Sequence, residues 1–495
     1  MVAIDLSQAF DRVPIPLLLD EISKTNLHHN IIRWLRCYLR GRQAACVFRG
    51  VRSAFRRIHF GVPQGSVISP VLFNFYVRYF PTCAELTVSY ADDFTILESG
   101  VDLNEIDSRL NQDLRRIEEW AKRKQLSISA EKSSVTFFST DSHQHSHHPQ
   151  VFLGDSPLPL VKTPKILGVT LDPQLTFGPH AKKVVEKAAS RLKVIKAVAG
   201  TDWGSSSEDL LLTYKAIGST VIDYAAPVFS PNLKPSNVLK IQRVQNQCLR
   251  VVTGSHSAAS LEHLHHETKT LPVSDHLQML SRQFLASTFS EQHPSHRIVT
   301  AQQGPRNLRH TLTSKHKSTV VPFLRNGILP PESRQTVIND LHTAAVSVAI
   351  QGMDKNPNRV LGSRPPQVNK SESSLPRHWR STLSQLRSGF CRCLRSYKAV
   401  VDQSGSTICP ECTAEEHTVS HLFQCAAKPT TLYKLDLWVN PLHVAFFLSL
   451  LSSFTHLPRI PAPSSPLLPH PVLHRPPPPP PSPPPLPRPP PEPPP

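Results

Sequence analysis

The chain has 495 residues, 49 prolines, nine cysteines and a formal net charge of +18. An excess of cationic side chains favours a polyanionic partner, nucleic acid first among them, and the length allows several domains. No run of about 18 apolar residues occurs, so no membrane helix is expected, and MVAIDLSQAF has neither the basic start nor the apolar core of a secretory signal.

Taken in order, Val2, Ile4 and Leu6 alternate with Ala3 and Asp5, the period of a strand. Residues 14–41 read as a helix with Leu17, Leu18, Ile22, Ile31, Ile32, Trp34, Leu35 and Leu39 on its apolar face. The clearest helix is 103–125, where Ile106, Leu110, Leu114, Ile117 and Trp120 recur at three- and four-residue steps. Val135 and Phe137, then Ile166, Val169 and Leu171, mark later strands, so the first 175 residues read as α+β. Residues 176–290 read as helical. Within them, 181–200 sets Val185, Ala188, Leu192 and Ile195 against Lys182, Lys183, Lys187, Arg191 and Lys193, and a further helix runs from a Ser236 N-cap to Gly254. Residues 291–375 are polar and predict loops joining short helices, 376–430 a small separate unit, and 431–455 a short helical segment. From 456 to 495 proline dominates, which predicts a disordered or polyproline II tail of the kind that suits an SH3 or WW module, or a low-complexity end with no partner.

SYADDFTIL sets Asp92 and Asp93 side by side inside a strand-hairpin pattern. Adjacent carboxylates repel unless water screens them or cations sit between them. An exposed Asp-Asp turn is common, but Asp5 lies on a second strand of the same apolar pattern. Three carboxylates on neighbouring strands suit two Mg²⁺ ions about 4 Å apart, the arrangement for in-line nucleotidyl transfer. Between the two elements lies GVPQGSVISPVLFNFYV, where Gly61, Pro63 and Gly65 force a tight loop and Gln64 offers a neutral donor and acceptor.

The order D-x-x-x-A-F-D, G-V-P-Q-G-S-x-x-S-P, Y-A-D-D, helix, lysine-bearing strand, L-G-V-x-L-D resembles the palm of LINE-type, non-LTR retrotransposon reverse transcriptases of the Jockey-like kind. The resemblance covers roughly 1–290 and 380–440. It implies a right-hand polymerase palm (an antiparallel sheet with helices) over 1–175, a helical thumb over 176–290 and a connector over 291–375. It implies that Asp5 and Asp92 hold two Mg²⁺ ions, with Asp93 as an adjacent third carboxylate. Phe10 becomes the steric gate against a ribose 2′-hydroxyl, or simply a core aromatic. Gln64 and Gly65 meet nucleotide and template, Tyr90 lies by the primer end or is simply a core aromatic, Lys132 protonates pyrophosphate or is an ordinary surface lysine, and ILGVTLD is the primer grip. Lys182, Lys183, Lys187 and Arg191 become backbone contacts of the thumb, or a solvated face. The implied partners are an RNA template, a DNA primer or target and deoxynucleoside triphosphates. The implied location is the nucleus, with a cytoplasmic ribonucleoprotein stage. Relatives carry a fingers segment and an endonuclease ahead of this region. The chain is therefore expected to be the C-terminal portion of a longer polyprotein, without robust synthesis of its own. The rival expectation is an inactive remnant that binds nucleic acid through its basic helix and its cysteine motif.

That motif is CPECTAEEHTVSHLFQC: Cys409, Cys412, His421 and Cys425 follow a C-x2-C-x8-H-x3-C spacing that suits tetrahedral Zn²⁺, with His417 off the spacing. The nine cysteines are mostly scattered, which argues against a disulfide framework and for a reducing compartment, while the late cluster of five reads as metal rather than disulfide. The preceding LRSGF, 386–390, resembles the element leading into the family's zinc knuckle, which leaves Cys391 and Cys393 outside the ligand set. HQHSHH, 143–148, reads as a loose transition-metal tract or a solvated loop.

Overall fold

The computed structural model describes residues 1–82, 84–200, 204–300, 312–324, 329, 333–353, 357–402 and 405–462. The proline run beyond 462 lies outside the described residues. The chain divides into two units: Met1–Arg191, Ile217–Gln245 and Pro272–Val346 in one, Leu192–Ala216, Asn246–Leu271 and Ser347–Pro495 in the other.

The first unit opens with strand β1 (Val2–Asp5) and helices α1 (Ile15–Ser23) and α2 (His29–Leu39). The single helix expected over 14–41 is thus two, because local side chains bond the backbone at the break. Thr25 Oγ1 donates to Ile22 O at 2.7 Å, and His28 Nδ1 accepts from Asn30 N–H at 3.3 Å. Its apolar face is also narrower than expected: Leu35 and Leu39 are buried, whereas Ile31 and Trp34 are exposed. Four short strands follow: β2 (Gln43–Ala44), β3 (Val47–Phe48), β4 (Val51–Arg52) and β5 (Arg56–Arg57). Then come α3 (Ser69–Val77), the hairpin β6 (Leu86–Tyr90) and β7 (Asp93–Leu97), α4 (Leu103–Arg123) and β8 (Ser134–Val135).

A four-stranded sheet takes the order β6-β7-β1-β8. Its pairs are antiparallel, with Val2 opposite Ile96, Ile4 opposite Phe94 and Asp5 opposite Asp93. Val2, Ile4, Phe94 and Ile96 are buried, and the intervening Ala3, Asp5, Asp93 and Thr95 are not. The period of two therefore seats one face on the core and leaves the aspartates on the other. The core side is filled by Leu18 and Ile22 of α1, Phe73 and Tyr76 of α3, and Leu110, Leu114, Ile117 and Trp120 of α4. Phe80 stacks on Phe94 at 4.2 Å and meets Trp120 edge-on at 5.0 Å. Each large apolar side chain buried here contributes about 1.5–3 kcal/mol of transfer free energy. Asp102 caps α4 by accepting from Asn104 N–H at 2.9 Å, and the helix matches the expected 103–125 closely.

Further on lie two small hairpins, β9 (Phe152–Leu153) with β10 (Ser156–Pro157) and β11 (Lys165–Ile166) with β12 (Val169–Thr170). Helix α5 (Gly178–Ala197) buries Ala181, Val184, Ala188, Leu192 and Ile195. Val184 thus takes the inward place expected of Val185. The next predicted helix spans Pro235–Thr253. It starts one residue before Ser236, because Pro235 occupies the first turn and Lys234 O accepts the first bonds. Gly254, at φ 71°, stands where the chain leaves it. The segment expected as loops and short helices holds a long helix, Arg334–Met353, from which Val337 and Leu341 pack with Leu285, Phe289 and Val320.

In the second unit the helix Arg377–Ser388 and the helix Pro441–Ser449 share one core, with Trp379, Leu383, Leu386, Leu422, Trp438, Leu448 and Phe454 buried together. The segments read separately as 376–430 and 431–455 therefore fold on one another. The first residues of the expected disordered tail join them: Leu457 and Ile460 pack on this core, and Trp379 Nε1 donates to Pro458 O at 2.9 Å. Among the described residues no helix is long and apolar enough to cross a membrane.

Candidate active site

The site begins with the register of β1 against β7. Asp5 and Asp93 are direct partners, which places their Cα atoms about 5 Å apart and their side chains on one face. Tyr90 is the partner of Asp93 across the hairpin, leaving Ala91 and Asp92 as its two-residue turn. Ala91 closes the turn at φ 54°, a left-handed conformation that costs a non-glycine residue about 1–2 kcal/mol. The Asp93 carboxyl is raised above its ordinary range by burial, then by the charges of Asp92 and Asp5. Among the described residues no lysine or arginine pairs with any of the three. They form an anionic cluster at the ends of the two central strands of the sheet, and carboxylates are the ligand type of a hard divalent cation.

The groups around it come from three loops. After β1, Phe10 stacks on Phe73 of α3 at 4.5 Å and packs against the core. The GVPQG loop is bonded to this segment: Gly61 N–H donates to Val13 O at 2.8 Å, and Val62 N–H to Phe10 O at 2.9 Å. A Cβ on Gly61 would sit 2.8 Å from Asp11 O, so only glycine allows this approach. The exposed Gln64 donates through Nε2 to Asp11 Oδ1 at 2.8 Å. Gly65 has φ 81° and open space beside it. The third loop is the turn before β8. Ser129 N–H donates to Asp5 O at 3.0 Å, and Asp5 N–H donates to Ser133 Oγ at 3.1 Å. Lys132 sits exposed in this turn rather than on the strand, carried beside Asp5 by bonds to that residue's own backbone. The sequence pattern gives no role to Asp11, Ser129 or Ser133. The 129/133 spacing on a tight turn is the signal that could have found the serines.

In the second unit, ligand atoms of Cys409, Cys412, His421 and Cys425 all lie within 4.8 Å of one another. Among the described residues this is the only such group of metal-ligating side chains. The Cys409 and Cys425 sulfurs are 4.0 Å apart, and Cys412 Sγ is 3.3 Å from His421 Nε2. The other ring nitrogen of His421, Nδ1, hydrogen-bonds the Glu415 carboxylate at 2.8 Å. Backbone N–H groups of Ala414 and Glu415 hold the Cys412 thiol low, at about 7. Three sulfurs, one imidazole and a carboxylate fixing that imidazole are compatible with Zn²⁺. His417 is buried outside the cluster, with Nδ1 accepting from Arg395 N–H at 3.1 Å. Cys391 and Cys393 are likewise outside it, and Cys393 Sγ lies 3.6 Å from His456 Nε2. In the histidine tract, His147 pairs with Asp107 at 3.5 Å.

Residues 1–171 match the family model for reverse transcriptase (RNA-dependent DNA polymerase). The chain is 26% identical over 333 residues to a probable RNA-directed DNA polymerase from transposon X-element of Drosophila melanogaster, covering 64% of this chain and 36% of that protein. It is 28% identical over 298 residues to the RNA-directed DNA polymerase from mobile element jockey of the same fly, covering 57% and 31%. A jockey polymerase from Drosophila funebris matches at 26% over 291 residues, again 57% and 31%. Over its first 171 residues the chain is thus similar to reverse transcriptases, and the relatives it matches are RNA-directed DNA polymerases of mobile elements. It spans about a third of the length of these relatives.

The reverse-transcriptase region ends in the ILGVTLD hairpin, a two-residue turn with Leu167 at φ 43° and Gly168 at φ 86°. Tyr224 OH donates to Leu167 O at 2.6 Å, and its ring lies over Gly168. Beyond it, Lys182, Lys183, Lys187 and Arg191 are all exposed on α5. Lys183 Nζ donates to Thr170 Oγ1 at 3.0 Å, so one of these cations is tied to the hairpin. Lys183 and Lys187 also line a cavity of about 530 Å³ with Lys165, Thr170 and Tyr224. The His180 imidazole there is held low by burial and by Lys187 and Lys183.

Proposed function

We propose that residues 1–175 form a polymerase palm whose carboxylates direct RNA-templated transfer of deoxynucleotides to a DNA 3′-hydroxyl. The observation that carries this reading is Asp5 directly opposite Asp93 with Asp92 in the adjoining turn. Asp5, Asp92 and Asp93 would hold divalent cations, which supply charge neutralisation for the attacking hydroxyl and the departing pyrophosphate. The chain's own residues set the geometry around them. The β1–β7 ladder fixes two carboxylates at one height. Phe10, braced by Phe73, sets a wall where a ribose 2′-hydroxyl would collide. Gln64, oriented by Asp11, presents its amide to a base pair. Tyr90 lies exposed across from Asp93, where a primer end would rest, and Lys132 stands beside Asp5 as a proton donor to pyrophosphate. The basic face of α5 follows as the thumb's phosphate contacts. Zn²⁺ held by Cys409, Cys412, His421 and Cys425 would give the second unit a fixed knuckle.

The test is dTTP incorporation on poly(rA)–oligo(dT) with Mg²⁺, comparing the chain with Asp92→Asn. Incorporation that Asp92→Asn loses by at least about 100-fold supports the proposal. Equal signals from the two proteins would sink it. A second reading rests on the basic helix and the Cys3His cluster, which need none of the carboxylates: a remnant that only binds nucleic acid. It predicts no incorporation by either protein and unchanged affinity for duplex in Asp92→Asn.

A further inference from the structure

Between Glu21 and Glu85 the sequence holds no acidic residue but carries nine arginines and one lysine. The middle of this stretch forms two nested antiparallel ladders, Gln43 with Arg57 and Ala44 with Arg56, then Val47 with Arg52 and Phe48 with Val51. Every residue of these four strands is exposed, including Phe48 at 74%, Val51 at 73% and Val47 at 66%. Phe55 and Phe60 beside them are exposed at 56% each. An isolated hairpin with no covered face is marginal in water, and a patch of this kind marks an interaction surface. Its chemistry is specific. Arg49 lies over the Phe48 ring at 5.4 Å and Arg52 over Phe55 at 4.8 Å. Among the described residues, Arg49, Arg52, Arg56 and Arg57 have no acidic partner.

We infer that the hairpin Gln43–Arg57 is a platform for single-stranded RNA, with bases stacking on Phe48 and Phe55 and phosphates meeting the four arginines. Exposed rings interleaved with unpaired guanidinium groups are what a sequence-tolerant single-strand site requires. A second copy of the chain is disfavoured as occupant, since two such patches would face each other with like charge. The hairpin leads straight into the nucleotide loop. Arg42 at its base donates to Phe60 O and Gly61 O, and Tyr38, stacked under the exposed Trp34, donates to Ser66 Oγ at 2.8 Å. A strand lying on the platform is thereby directed toward Gln64. This deepens the proposed polymerase reading by giving the template its approach, and it rests on that reading.

The probe is a fluorescein-labelled oligo(U) RNA of about twenty nucleotides, bound to the whole chain without nucleotides or Mg²⁺ and read by anisotropy across a salt series. Phe48→Ser with Phe55→Ser weakens binding at least about 10-fold and leaves the salt slope unchanged. Arg49→Gln, Arg52→Gln, Arg56→Gln and Arg57→Gln together flatten the log–log salt slope by about 3. Ultraviolet crosslinking of the unmodified chain, with the crosslinked peptide identified by mass, needs no variant to fold and places the RNA on residues 43–60. Unchanged binding in both variants, or crosslinks confined to other segments, overturns the proposal. So does loss of binding to anionic phosphatidylserine vesicles, or loss of a dimer, while RNA affinity stays intact. Incorporation retained without hairpin crosslinks refutes the platform alone. Crosslinks without incorporation refute the polymerase reading alone.

Discussion

The LRSGF element carries an arginine whose removal tests how the second unit is held together. Arg387 is fully buried at the end of the helix Arg377–Ser388. Its Nη1 donates to Glu372 Oε2 at 2.6 Å and to Leu437 O at 3.0 Å, and its Nη2 donates to Glu372 Oε1 at 3.0 Å and to Glu267. One fork thus compensates two carboxylates. Arg387→Met leaves Glu372 buried without its cation and Glu267 with only His263 beside it, for which a loss of about 3–5 kcal/mol is expected. Arg387→Lys keeps the charge but not the planar fork and should fall between. The pH dependence gives a second, independent reading. Burial alone would raise Glu267, but the Arg387 and His263 charges override it and hold the carboxyl below its ordinary value. A depressed folded value means stability present above about pH 4.3 and lost as pH falls through the lower, folded value. In Arg387→Met only His263 and Ser384 still oppose burial, the balance tips to a raised carboxyl, the sign reverses, and the variant regains stability as the pH drops from 7.5 toward 5. Hydrogen exchange of the amides of residues 379–388 reads this locally. A loss under about 1 kcal/mol at pH 7.5, or a gap to the parent that widens with acid, would refute the argument.

Asp93→Asn removes one of three mutually repelling carboxylates, so in the presence of EDTA it should melt higher than the parent. Because the Asp93 carboxyl is raised in the folded state, its cost is present above that value and fades as pH falls, so the difference in Tm should shrink under acid. Chelation by 1,10-phenanthroline should release about one zinc per chain, and Cys412→Ser should abolish that release, whereas Cys391→Ser should leave it unchanged; atomic absorption after gel filtration decides. Gly61→Ala should cost more stability than Gly65→Ala in urea denaturation. Both have φ near 80°, but only the first meets backbone atoms, at 2.8 Å from Asp11 O. The conformational share common to both is about 1–2 kcal/mol.

What the sequence revealed follows from how local each signal is. The alternation through Val2–Asp5 and Asp93–Leu97 carries the sheet face and hence the side on which Asp5 and Asp93 meet. The three- and four-residue recurrence from Ile106 to Trp120 carries α4. C-x2-C and H-x3-C each close over a few residues, and the structure brings the two halves together. The failures were set by partners the pattern does not contain. The break between α1 and α2 depends on two side-chain caps. The role of Arg387 needs Glu267, 120 residues away, and Glu372, 15 residues away. The tail's first residues were read by composition alone, which conceals that Pro458 O faces the Trp379 indole.

The distribution of charge ties these features into one argument. In a chain of net charge +18, the Asp5, Asp92 and Asp93 cluster has no basic partner among the described residues, although lysines and arginines outnumber acids by 55 to 37. A fold that needed only stability would have neutralised these carboxylates, as it does with Glu372 and Glu267 around Arg387. Instead the neighbouring stretch from residue 22 to 84 withholds every acid and leaves eight of its nine arginines exposed. The two halves of that segregation recruit different ligands. A polyanion is drawn to the guanidinium-rich hairpin over a Debye length of about 8 Å or more, and a divalent cation is drawn to the small acidic cluster at contact range. If Asp5→Asn and Asp93→Asn together tighten oligo(U) binding without changing its salt slope, the two sites are electrostatically opposed but chemically separate, as this account requires. A steeper slope would mean that the phosphates sit against the carboxylates themselves.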